Sequence, residues 1–227
     1  MRQGWPELAA IALFWAAPAF AQLESITQKE AVAGLKTALE KGSHAAVAAL
    51  GRPDGFLRNL RVRIPLPDSI QRIDRMARRV GLGEYSDELI VTMNRAAEAA
   101  VPEARELLVE AVKKMTLRDA KGILSGGDTA ATAYFRRTTA KQLQARFQPI
   151  VARATARVGL ARTYNAYAGR AAAFGLLDEQ DANLDAYVTR KALDGLYLMI
   201  AEEEKKIRRD PVGSGSELLR KVFGALR

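Results

Sequence analysis

Apolar residues recur at intervals of three and four along most of this chain, the spacing that lines them up on one face of an α-helix. Ala31, Leu35 and Leu39 share such a face, and Ser25-Ile26-Thr27-Gln28 ahead of them has capping-box spacing, with Gln28 reaching back to the Ser25 backbone. Gly42 predicts the end of that helix, and Ser43 the cap of a short one ending at Gly51. Ile70, Ile73, Ala77 and Val80 form the next stripe, closed by Gly81. Ser86 opens a longer one through Leu89, Ile90, Met93, Ala97 and Ala100. Pro102 kinks it or starts a new helix carrying Leu107, Leu108, Ala111, Val112 and Met115. Later stripes run through Leu143, Phe147, Ile150, Val151 and Val158, then through Tyr187, Leu193, Leu196, Tyr197 and Ile200.

Residues 60–64, Leu-Arg-Val-Arg-Ile, alternate with period two before Pro65 and Pro67 end the run. One such segment makes no sheet. The pattern therefore predicts an all-α fold, a compact multi-helix bundle with at most one short extended or strand-like segment near residues 60–64. Alanine at many stripe positions predicts closely approaching helices. Asp210-Pro211-Val212-Gly213-Ser214-Gly215 is the nearest thing to a linker, and a final amphipathic helix is expected at about 216–224, through Leu218, Leu219, Val222 and Phe223. So short a helix is barely stable alone, which favours packing back on the body.

The first 21 residues break the pattern. Arg2 precedes an apolar run from Leu8 to Ala17 that is too short to span a membrane, and Ala19-Phe20-Ala21 is a small-x-small cleavage signature. This is the layout of a secretory signal peptide, so residues 1–21 are read as a leader and 22–227 as a single helical domain. A periplasmic or secreted location follows, after cleavage near Ala21, with no transmembrane span in the mature chain. Cleavage would remove both tryptophans, Trp5 and Trp15.

Charge narrows the choice of partners. The formal net charge is +9, a balance that ordinarily suggests nucleic acid. Export makes nucleic acid the wrong partner and points to anionic lipid, lipopolysaccharide or a cell-wall polymer. Arg61 and Arg63 lie on the same side of the alternating segment, opposite Val62, and are the sharpest candidate anion-binding residues. Arg136 and Arg137, following the core candidates Tyr134 and Phe135, are the second pair.

Catalytic chemistry is constrained by absences. The chain has no cysteine, and His44 is its only histidine, so thiolate catalysis and Cys/His zinc clusters are excluded and a Ser-His-Asp triad would rest on one residue. A histidine beside a helix start reads as a surface or capping residue. Asp181, Asn183 and Asp185 fit the first positions of a calcium loop, but Ala186 and Ala192 stand where glycine and a bidentate glutamate are required. They read instead as the acidic opening of the long helix through Ile200. No metal and no cofactor are expected. Glu202, Glu203 and Glu204 facing Lys205, Lys206, Arg208 and Arg209 read as a solvated helix end, self-paired as Glu202–Lys206 and Glu204–Arg208.

Residues 122–129, Gly-Ile-Leu-Ser-Gly-Gly-Asp-Thr, match the glycine spacing of a phosphate loop, yet Asp128 occupies the lysine position, and a helix opened by the capping-box spacing of Thr116-Leu117-Arg118-Asp119 precedes the motif where a strand belongs. The same residues read well as structural caps. Gly126 and Gly127 end one helix with positive φ, and Asp128 caps the next by accepting N–H bonds near Ala130 and Ala131.

The ordered landmarks LGRPDGFLRN, RVRIPLP, MNRAAEAAVPEA, MTLRDAKGILSGGDTAATAYF, YVTRKALDGL, IAEEEKKIRRDP and LLRKVFG closely resemble the bacterial domain of unknown function 4197 family. The resemblance covers essentially the whole of residues 22–227, with VGSGSELL its least typical stretch. It implies an exported, largely helical protein and supplies no catalytic residue. The expectation is a non-catalytic binding or structural role at the cell envelope, contacting an anionic component. Two alternatives make distinct demands on the structure. A carboxylate-dependent envelope hydrolase using acids such as Glu98 or Asp119 needs carboxylates whose pKa values are pushed apart, and a carrier of an apolar ligand needs a cavity between helices.

Overall fold

The computed structural model describes residues 28–81, 83–157, 159, 161, 164 and 183–210. The leader at 1–21, Ser25 and with it the Ser25–Gln28 capping box, Asp181, residues 211–215 and the closing helix at 216–224 lie outside the described residues. Every regular element within them is helical.

The first helix, α1, runs unbroken over Gln28–Leu50. Gly42 is therefore no stop. A Cβ there would stand 3.2 Å from Ile207 Cδ1, so the glycine serves the close approach of a second helix. Ser43 caps nothing either, since its buried hydroxyl donates to the Glu40 carbonyl one turn back at 2.9 Å. His44 accordingly sits in mid-helix rather than beside a helix start.

After an irregular segment come α2 (Asp68–Arg79) and α3 (Glu84–Ala100), joined through Gly81, whose φ of 83° suits glycine. The start of α3 lies two residues ahead of Ser86, which is buried within the first turn. Pro102 falls in a 3₁₀ turn, Val101–Glu103, that leads into α4 (Ala104–Lys114), so the chain restarts as a new helix. The shorter α5 (Leu117–Leu124) opens with the expected reciprocal cap between Thr116 and Asp119. The two long helices α6 (Ala130–Thr155) and α7 (Leu184–Arg209) complete the described bundle. Asn183 caps α7 by accepting the Asp185 and Ala186 N–H groups at 2.8 and 3.1 Å, and Asp185 in its first turn accepts the Thr155 hydroxyl of α6.

The core forms where α6 and α7 run along each other and where α1, α3 and α4 close around them. Leu89, Met93, Leu108, Phe135, Leu143, Phe147, Leu196 and Tyr197 fill it. Ala96, Ala97, Ala100 and Ala104 are fully buried, which gives the alanine-rich stripes their reason: small side chains let backbones approach. By contrast, α2 packs extensively against no other described helix.

Candidate functional site

The irregular segment between α1 and α2 carries the first pair of candidate arginines. It is irregular without being loose. Asp54 adopts a left-handed conformation, φ 66°, and Gly55 follows it where a Cβ would stand 2.4 Å from the Leu50 carbonyl oxygen. Glu98 of α3 comes up from below, and its Oε1 accepts the Phe56 and Leu57 N–H groups at 3.0 and 3.1 Å. Its other oxygen takes Arg95 Nη1 at 2.6 Å, while Arg95 Nη2 donates to Asp54 at 2.7 Å. One turn earlier, Asn94 acts as a surrogate strand. Its Oδ1 accepts the Ile64 N–H at 2.8 Å and its amide donates to the Ile64 carbonyl at 2.9 Å. Tyr187 of α7 donates its hydroxyl to the Pro65 carbonyl at 3.1 Å.

So braced, residues 60–62 form turns and 63–64 run on without regular structure, and no strand occurs among the described residues. Val62 and Ile64 are buried with Leu66. Leu60, which the alternation would bury beside them, is 88% exposed. Arg58, Arg61 and Arg63 flank it in sequence, all exposed, and Arg58 pairs with Asp54 at 3.3 Å. Arg61 forms a two-pronged pair with Glu202 of α7, at 2.8 and 3.1 Å, which lowers the Glu202 pKa and raises that of the arginine. Arg63 lies close enough to Asp87 for its charge to help lower that carboxyl, behind the larger effect of Arg78, whose hydrogen bond to Asp87 acts first.

Arg136 and Arg137 point outward from α6, while Tyr134 and Phe135 beside them are buried. The Arg136 guanidinium bonds Asp194 at 3.1 Å and lies 4.6 Å from the centre of the Tyr197 ring. Arg137 bonds Asp119 at 3.0 Å and lies 5.5 Å from the Tyr134 ring. Asp194 and Glu202 are eight residues apart on α7, about 12 Å along its axis, so Arg61 and Arg136 are held at two stations of one helix. Arg137 is held at α5 and Arg63 near α3. The four arginines thus spread over the surface and do not converge on one point.

The junction at 122–129 has a different anchor from the one its sequence suggests. Gly126 and Gly127 have no positive φ. Gly126 answers a crowding requirement instead, since a Cβ there would meet Ala130 Cβ at 2.6 Å. Asp128 does not cap α6; Thr129 occupies the N-cap position without a side-chain bond. The N–H groups of Ala131 and Thr132 both go to Glu204 of α7, at 2.9 Å each, and the Thr132 hydroxyl adds a bond of 2.8 Å. Arg208 donates to Glu204 at 2.9 Å and to the Ile123 carbonyl at the end of α5, also at 2.9 Å. The side chains of Glu204 and Arg208 are 4% and 12% exposed. This pair is therefore no solvated helix end: its anion meets the positive end of α6 and its cation the negative end of α5. The other expected pair, Glu202–Lys206, is exchanged for Glu202–Arg61 and Glu203–Lys206.

Sequence reasoning missed Asn94 and Glu98 as braces and Glu204 as a clamp, although a signal existed. Glu204 stands four residues after the buried Ile200, so it prolongs an apolar stripe, and Asn94 and Glu98 are spaced alike among buried residues of α3. A polar residue continuing a buried stripe must find partners inside.

The family model described as protein of unknown function, DUF4197, matches residues 25–224. The chain belongs to this family. No curated protein and no solved structure matches it. In this DUF4197 protein, open grooves of about 400 and 510 Å³ adjoin at Asp119, Tyr134 and Arg137. Their carboxylates are not arranged as an acid and a base. Asp119 is held below the usual range by its bonds to the Thr116 hydroxyl and backbone N–H, and Glu110 by Lys114. Burial pushes the Tyr134 phenol upward, away from nucleophilic use, and its hydroxyl donates to the Ala111 carbonyl at 2.7 Å. Among the described residues no group of three His, Asp or Glu side chains is placed to hold a metal ion, and no helix is long and apolar enough to cross a membrane.

Proposed function

We propose that this DUF4197 protein is exported and acts at the cell envelope by binding an anionic component, without covalent chemistry. The observation that carries the reading is the braced segment at residues 58–63. An ordinary solvated loop has no reason to hold a leucine 88% exposed, flanked in sequence by Arg58, Arg61 and Arg63, while Asn94, Glu98 and Tyr187 fix its backbone from beneath. Rigid support lowers the ordering cost of binding, because the contact residues are already in place. The Arg61–Glu202 pair leaves the guanidinium half exposed, so a phosphate or carboxylate arriving from solvent can share it. The leader layout at residues 1–21 and the net charge of +9 support the envelope setting.

The alternatives draw less support. Glu98 is committed to two backbone N–H groups and Arg95, and Asp119 to capping α5, so both carboxylates serve to hold the backbone. The void among Leu35, Leu39, Ile123, Ala131 and Ile207 has room of about 10 Å³, on the scale of one water and not of a lipid chain.

Co-sedimentation with phosphatidylglycerol vesicles, with lipopolysaccharide and with wall fragments at low and high salt tests the reading. Binding to at least one of them at low salt is expected, weakened by salt and by Arg61→Gln/Arg63→Gln. Absence of binding to all of them at low salt would overturn it.

A further inference from the structure

We infer that α2 is a second, separate docking element, one that lies flat in the headgroup region of an anionic lipid bilayer. The inference rests on the envelope-binding reading above and names its partner as lipid. On the helical wheel, Ile70, Asp74 and Arg78 occupy one arc of α2, and Arg75, Met76 and Arg79 the opposite arc, with Val80 in the turn that follows the helix. The first arc faces the protein: Ile70 packs against the core, and Arg78 bonds Asp74 at 2.9 Å and reaches across to Asp87 of α3. The second arc faces solvent. Met76 is 67% exposed and Val80 72%, and Tyr85 just beyond the Gly81 turn is 64% exposed. Arg75 and Arg79 are exposed alongside them.

Large apolar side chains left in water on a helix and the turn after it, with no extensive partner among the described helices, mark a contact surface. Their arrangement says of what kind. Arg75 and Arg79 form one edge of the outer arc and Met76 the other, with Val80 just beyond it in the turn, so the helix and its turn lying in the interface can sink Met76 and Val80 while Arg75 and Arg79 extend to phosphates. A second copy of the chain fits poorly. A two-fold interface through this arc would set the arginines of one copy against those of the other when the helices run antiparallel, and against the partner's apolar edge when they run parallel. An anionic bilayer meets both the charge and the apolar edge.

Vesicles of phosphatidylcholine with and without phosphatidylglycerol test this with the full chain, using co-sedimentation, hydrogen exchange and sedimentation velocity. Wild type is expected to bind the phosphatidylglycerol vesicles alone and to gain amide protection in residues 68–80. Met76→Ser/Val80→Ser should weaken partitioning at least about tenfold, and Arg75→Gln/Arg79→Gln should flatten its salt dependence. All four substitutions are at exposed residues, so thermal melting followed by circular dichroism should stay unchanged and separates lost docking from lost folding. Partitioning of the Met76→Ser/Val80→Ser chain at the wild-type level would overturn α2 as the docking element while leaving the envelope reading intact. The same holds if wild type binds wall fragments or lipopolysaccharide but not phosphatidylglycerol vesicles, or binds neutral vesicles equally well. A dimer that Met76→Ser/Val80→Ser abolishes would replace lipid by a second copy. Failure of wild type to bind any of the anionic probes overturns both proposals.

Discussion

Glu204 shows how one side chain can decide a junction between three helices. Its carboxylate satisfies two N–H groups of α6, the Thr132 hydroxyl and Arg208 at once. Removing it leaves a buried guanidinium and orphaned donors together, the condition under which losing one partner costs about 3–5 kcal/mol. Glu204→Ala should therefore lower unfolding stability by about that much in urea denaturation, whereas Asp128→Ala should change little because Asp128 does not cap α6. Equal effects of the two would mean that the junction is held from its own loop after all. Gly195 makes a similar demand by volume. A Cβ there would stand 2.7 Å from Phe56 Cε1, and the buried ring cannot swing away, so Gly195→Ala should cost about 1–3 kcal/mol by overpacking in the same assay.

At the scale of elements, the helices were legible because their apolar spacing states the answer locally. The Thr116–Asp119 cap and the restart at Pro102 could be read within a few residues of sequence. What failed was long-range. Gly42 has the local signature of a helix end and is overridden because Ile207, far along the chain, needs the space. Residues 60–64 alternate like a strand, yet their ladder partner is the side chain of Asn94 rather than another strand. No rule of periodicity anticipates a partner of that kind. Of the candidate arginines, the outward placement was readable from the pattern, while their carboxylate partners, 58 residues away for Arg136 and 141 for Arg61, were not. The brace itself makes a prediction. Asn94→Ala leaves the Ile64 N–H and carbonyl buried without partners, about 1–3 kcal/mol for each unsatisfied group. Amide exchange at Phe56–Ile64 should accelerate well ahead of exchange in α6 and α7. Uniform acceleration across the molecule would show that the segment unfolds only with the whole bundle.

For the whole molecule, the distribution of charge makes stability depend on acid in a predictable direction. Asp74, Asp87, Glu110, Asp119 and Glu202 all have folded-state pKa values below the ordinary ones. A carboxyl whose pKa is depressed by folding binds a proton more readily when unfolded, so stability rises with pH wherever the unfolded state holds more protons. The contribution is complete above the unfolded values, about 3.9 for Asp and 4.3 for Glu, and is lost as pH falls through them toward the folded values. The net charge of +9 grows as these groups neutralise, and self-repulsion then acts in the same sense. The urea midpoint should accordingly be nearly flat from about pH 8 to 5.5 and fall steeply below about pH 4.5. For Asp119 the hydrogen bond from the Thr116 hydroxyl is the first cause of the shift, the Thr116 backbone N–H the second, and the charge of Arg137 a later one. Thr116→Val should consequently reduce the acid slope more than Arg137→Gln does, and Asp119→Asn should remove that group's share entirely. A slope untouched by Asp119→Asn, or one reduced more by Arg137→Gln than by Thr116→Val, would show that charge at long range, and not the helix cap, sets the acid response.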